Sequence, residues 1–187
     1  MKKRILQLLA GLIIGGGSGV AVYNNTESDI TLYNGQVIES NELTKSLTQK
    51  YSYRVTDSLY ITIHHTAANK DQSLESIAKF HVEKRGYPAI AYHIAINEEG
   101  DIHFLNEIEK RTYHDSGQNT NSIGIVLVGN YEENEPSEEM IESVELITDA
   151  LCKTVKIIGI RAHRDTSPTL CCGKFAYMEL HKKGIFF

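Results

Sequence analysis

The chain has 187 residues, 41% hydrophobic and 23% charged, which suits one globular domain with its own core and excludes a disordered chain. Its formal net charge is -5, the pI is near 5.9, and no long Lys/Arg patch is present, so the basic footprint of a nucleic-acid binder is missing.

Met1-Lys2-Lys3-Arg4 is a basic start, and Ile5 to Tyr23 follows without a charge. A basic segment leading into an apolar stretch has the shape of a secretory signal, with Gly19-Val20-Ala21 as a tolerable cleavage site. The run is also nearly long enough to span a bilayer, so a retained anchor is the alternative. Gly15-Gly16-Gly17 weakens the run as a stable helix, and charge asymmetry and terminal position favour export over a buried N-terminal helix. No Cys lies near this stretch, which argues against a lipid anchor. Residues 1–23 are therefore expected to be a signal peptide or membrane anchor, and the rest to be periplasmic or extracellular. Residues 24–53 are polar and read as a linker or an arm packed on the domain edge. The domain proper spans 54–187.

Within the domain, the β-branched run from Leu59 to His64 reads as a strand. Asp71 or Ser73 can cap a helix to about Arg85, with Leu74, Ile77, Ala78 and Val82 on one face. Gly86-Tyr87-Pro88 ends it. Ala91 to Asn97 and Asp101 to Leu105 form a hairpin about Glu99-Gly100. Ser122 to Gly129 is a strand buried on both faces. Ser137 caps a helix to about Thr154, striped by Met140, Val144, Ile147 and Leu151. Lys156 to Ala162 is a further strand, and Tyr177 to Lys183 a last helix. Strands alternating with helices predict a single α/β domain, a central mixed sheet flanked by helices.

Three clusters carry chemistry: His64-His65 at a strand end, Tyr92-His93, and the run from His163 to Cys172. One His from the first pair, His163 and a following Cys would supply the three protein ligands of a catalytic zinc site. On spacing alone, a surface His pair and a buried apolar Cys explain the same residues. Cysteines number three (Cys152, Cys171, Cys172), so at least one is unpaired or has another task.

The stretches ITIHHTA, FHVEKRGYPAIAYHIAINEEGDI, NSIGIVLVGNYE and AHRDTSPTLCCG resemble, in order, the peptidoglycan recognition protein and T7 lysozyme family of type 2 zinc amidases. The likeness runs from about Arg54 to Phe187. It implies the family's fold, one Zn2+ held by His64, His163 and Cys171, and no organic cofactor. The implied reaction is hydrolysis, by zinc-activated water, of the amide bond between N-acetylmuramic acid and the L-alanine of the peptidoglycan stem peptide. Tyr92 matches the catalytic tyrosine, and Thr169 stands where a Lys or Thr assists the oxyanion. His114 resembles a cleft-rim His of the family and, with Asn119 and Asn121, is expected to contact substrate; a solvated loop explains the same three residues. The family pattern has Pro after the ligand Cys; here that position is Cys172, so either sulfur could face the metal, and Cys172 could instead bridge Cys152. Adjacent strand residues point to opposite faces, so His65 is expected to be hydrogen-bonded on the far side. His81 is expected to be structural. Asp165 either orients a ligand His or caps its loop. A monomer is expected. Two rival readings are a peptidoglycan-binding receptor without catalysis and a structural zinc module closed by Cys172 or His65.

Overall fold

The computed structural model describes residues 20–23, 30–33, 36–40, 42–56 and 58–187. The basic start and most of the apolar stretch read as a signal or anchor lie outside these residues. Val20–Tyr23 (β1) and Ile30–Tyr33 (β2) pair as a two-stranded antiparallel sheet. Among the described residues no helix is long and apolar enough to cross a membrane.

The main sheet is built from Val37–Glu39 (β3), Ser58–His65 (β4), Ile94–Ile96 (β5), Ile102–Phe104 (β6), Ser122–Leu127 (β7) and Lys156–Ala162 (β8). Its order is β3-β6-β5-β7-β4-β8. Only β5 and β6 run antiparallel, as the hairpin; every other neighbouring pair is parallel. The sheet is thus mixed, as the sequence predicts. The segment read as linker or arm contributes β3 to its edge, and the Tyr51 hydroxyl donates to Ala89 O at 2.8 Å, so packing against the domain reaches back to Val37.

Period-two alternation divides the sheet into two faces. Ile61, Ile63, Ile123, Ile125 and Leu127 pack with Met140, Val144, Ile147 and Leu151 of Glu138–Thr154 (α2) and with Ala176 and Leu180 of Lys174–Lys182 (α3). Ala95, Val126 and Val128 pack with Ile77 and Ala78 of Leu74–Lys79 (α1) on the other face. Helices on both sides explain why every residue of β7 is buried.

The helix expected to reach Arg85 changes winding on the way. Ser73 caps α1 through the Ser76 N–H, but Phe80–Lys84 forms a π-helical turn, a widening that α-helices accommodate singly. Gly86, at φ 67°, then reverses the chain as only Gly does without strain. The first strand of the hairpin is shorter than expected, because Ala91 to His93 bend before β5 begins. The predicted bounds of β8 coincide with the observed ones, and the last helix starts three residues early, at Lys174.

α2 is anchored at its first turn. Ser137 Oγ accepts the Met140 N–H at 3.1 Å and donates to Glu98 O at 2.5 Å, joining the helix to the hairpin turn. Replacing Ser137 by Ala removes both bonds and should cost about 1–2 kcal/mol. Urea unfolding with an unchanged m-value would register the loss; no change in midpoint would refute the anchoring role.

Candidate metal centre

β4 ends in His64 and His65, and the pleat sends them apart. His64 lies on the α1 face, 2% exposed. His65 lies on the α2 face, where Nδ1 accepts the Tyr131 N–H at 3.1 Å. β8, parallel to β4 on its outer edge, delivers His163 at its own C-terminal end. The loop after it turns back, held by Arg164 N donating to Cys171 O at 2.8 Å. The outcome is a group of three donors, His64, His163 and Cys171, whose ligand atoms all lie within 4.8 Å of one another. No fourth His, Cys, Asp or Glu joins the group among the described residues.

His64 Nδ1 is 3.7 Å from Cys171 Sγ. Zinc–nitrogen and zinc–sulfur bonds of about 2.1 and 2.3 Å at the tetrahedral angle put these atoms about 3.6 Å apart, so the pair fits a shared zinc. The tautomer agrees. His114 Nε2 lies 3.3 Å from Ser122 O, a pure acceptor, so it carries the proton and donates. His114 Nδ1 then accepts from His64 Nε2, 3.0 Å away, which leaves a bare lone pair on His64 Nδ1 facing Cys171. Burial, aided by His114 and His163, holds His64 well below the usual histidine range, so it stays neutral as a ligand must. Burial pushes the Cys171 thiol up to about 11. An arriving cation reverses that preference by replacing the thiol proton, and the His65 N–H already donates to Sγ at 3.3 Å.

Cys172 is fully buried in the core, its thiol pushed up to about 12 by burial. The ambiguity between the two sulfurs therefore falls to Cys171. All three cysteines are free, so the Cys152–Cys172 bridge is absent.

Tyr92 stands beside the group, its ring 5.4 Å from that of His64. Burial and the neighbouring Cys171 raise its pKa, and among the described residues its hydroxyl forms no hydrogen bond. Thr169 Oγ1 accepts the Cys171 N–H at 3.3 Å, leaving its own proton for another acceptor. His81 Nδ1 accepts the Ala91 N–H at 3.1 Å and its ring packs on Tyr92, so it is structural and holds the tyrosine's loop to the helix.

The two residues expected to contact substrate, His114 and Asn119, both make hydrogen bonds within the protein. His114 is 7% exposed and lies behind His64. It is drawn there because Gly124 of β7 leaves room for the ring. Asn119 turns inward, its Oδ1 accepting the Asp115 N–H at 2.8 Å, as a short amide side chain does in tight turns. Asp165 takes the capping role: Oδ2 accepts the Ala162 N–H at 2.8 Å. The carboxylate nearest His163 is Asp115, which sequence reasoning missed; its Oδ1 is 3.6 Å from His163 Nε2. A charge directly after His114 was the one visible signal, and nothing local tied it to His163.

A family model described as N-acetylmuramoyl-L-alanine amidase matches residues 52–174. Peptidoglycan-recognition protein SC1a of Drosophila melanogaster is 28% identical over 131 residues, which cover 65% of this chain and 71% of that protein. The solved N-acetylmuramoyl-L-alanine amidase LysC from Clostridium intestinale URNW superposes with a TM-score of 0.71 at 26% identity, over 79% of this chain and 96% of that one. Bumblebee PGRP-SA shares the fold, with a TM-score of 0.72 at 20% identity over 79% and 94% of the two chains.

Gly124 tests the packing behind His64. A Cβ there would meet His114 Cγ at 2.5 Å, and the ring is buried and hydrogen-bonded at both nitrogens. Gly124→Ala should destabilise the fold on the order of 1–3 kcal/mol by overpacking and should weaken metal binding. Denaturant unfolding beside metal titration checks both; a variant unchanged in both would show that His114 is not confined.

Proposed function

The chain belongs to the N-acetylmuramoyl-L-alanine amidase family, and from that membership we propose that it hydrolyses the amide bond between N-acetylmuramic acid and L-alanine in peptidoglycan. One observation carries the reading: His64, His163 and Cys171 converge from two parallel strand ends and a returning loop, without a fourth protein donor among the described residues. Three ligands with an open position is the pattern of a catalytic rather than a structural zinc site. A structural module would need Cys172 or His65, and both are turned away.

We assign His64, His163 and Cys171 as the residues that would hold Zn2+. When bound there, zinc supplies Lewis acidity, polarising the scissile carbonyl and acidifying water. The protein's own groups do the rest. His114 holds the His64 ring with Nδ1 toward the centre. Tyr92, its pKa raised by burial, stays protonated at neutral pH and donates its hydroxyl to the oxygen that gains charge as the amide is attacked. Thr169, two residues before Cys171, offers a second hydroxyl proton to the same oxygen. The attacking water's hydroxyl would end on the carbonyl carbon and its proton on the L-alanine nitrogen, which leaves as the amine when the C–N bond breaks.

The substrate lies outside the cytoplasmic membrane, and the basic start with its apolar run suits export to it as a cleaved signal or a retained anchor. Recognition without cleavage is the second reading, favoured by the names of relatives such as the Drosophila recognition protein.

Digestion of purified cell wall, followed by mass spectrometry for new L-alanine amino termini, separates the two. The proposal expects such termini from the untreated protein, none after zinc is chelated, and recovery on adding zinc back. Cys171→Ala should lose both metal and activity. Tyr92→Phe should keep its metal while kcat falls roughly 10²–10³-fold. Binding to the wall without new termini would sink the enzymatic reading.

A further inference from the structure

Asp115 is fully buried beside the metal centre. Its Oδ2 accepts the Thr166 hydroxyl at 2.9 Å, and Arg161 Nη2 stands 4.0 Å off. Its Oδ1 has no hydrogen-bond partner among the described residues. Leaving a buried carboxylate oxygen unpaired is costly, so such an atom usually marks an interaction still to be completed. The group it faces is His163 Nε2, at 3.6 Å.

We infer that Asp115 is the positioning carboxylate of His163. It accepts the Nε2 proton, which fixes the neutral tautomer and leaves the Nδ1 lone pair for the metal. The bond requires the observed 3.6 Å to shorten to about 3 Å when the metal is held. Metal-bound histidines commonly donate their second N–H to a carboxylate, which orients the ring and raises its basicity. His64 has the equivalent support from His114, so each imidazole of the pair would have its own acceptor. Thr166 and Arg161 hold Asp115 from the far side, and Asn119 pins its backbone. The inference rests on the zinc assignment proposed above for His64, His163 and Cys171.

Zinc affinity of the full chain, measured by competition with a chromophoric chelator, provides the test. Asp115→Ala should bind zinc roughly 10–100-fold more weakly than the unaltered protein, and Asp115→Asn, which keeps an acceptor oxygen but not the charge, should fall between. In the zinc-loaded unaltered protein, long-range nitrogen-15 spectra should show the His163 proton on Nε2 and the metal on Nδ1. These spectra require no variant, so a misfolded Asp115→Ala would not blunt the test. Affinities of both variants within about threefold of the parent, well inside the loss expected for such a partner, would overturn the inference, as would Nε2 bound to the metal. If the parent protein bound no zinc, the metal assignment itself would fall, and this inference with it.

Discussion

The alternation of β4 at its last two residues governs the rest of the site. Two neighbouring histidines cannot share a face of a pleated strand. One must enter the metal group and the other must find a partner in the opposite layer. His65 does so by accepting the Tyr131 N–H, and its own N–H is then left to donate to Cys171 Sγ. The backbone of one histidine thus supports the sulfur that sits beside the side chain of the other.

Parallel pairing turns that strand end into a site. β4 and β8 run side by side in the same direction, so His64 and His163 emerge on the same edge, with ring centroids 4.5 Å apart. An antiparallel pair would have sent them to opposite ends of the sheet. Open parallel sheets gather ligands at the carboxyl ends of their strands for the same reason. Cys171 then needs only the return of a short loop, which Arg164 ties back through its backbone.

Burial gives the centre its chemical character. His64 and His114 are both held neutral by desolvation, His114 to about 3, and their linked hydrogen bonds run from the centre to the Ser122 carbonyl. A chain of neutral donors and acceptors of this kind is fully paired only when each ring takes one tautomer. The glycine at 124 makes the arrangement possible, since any side chain there would occupy the place of the His114 ring. The hydroxyl of Tyr92, beside the centre, has no hydrogen bond among the described residues, which leaves it available to a ligand.

Much of this was legible in the chain itself. Hydrophobic period and caps located β4, β7, α2 and β8 to within a few residues, because each has a continuous pattern and a clear end. Motif order brought out the family, and the opposite orientations of His64 and His65 follow from strand geometry alone. Sequence left open whatever depended on contacts between distant segments. His114 lies behind His64 because Gly124, on another strand, vacates the space for its ring. Asn119 turned inward to a backbone N–H. Asp165, two residues after His163, caps its own loop, while Asp115, far away in sequence, is the carboxylate nearest the His163 ring. The sulfur facing the metal group was likewise decided by packing, which claims Cys172 for the core. Local pattern determines elements and the direction of side chains within them, since both follow from backbone geometry; which side chains meet depends on how the layers stack, and only the tertiary structure decides that.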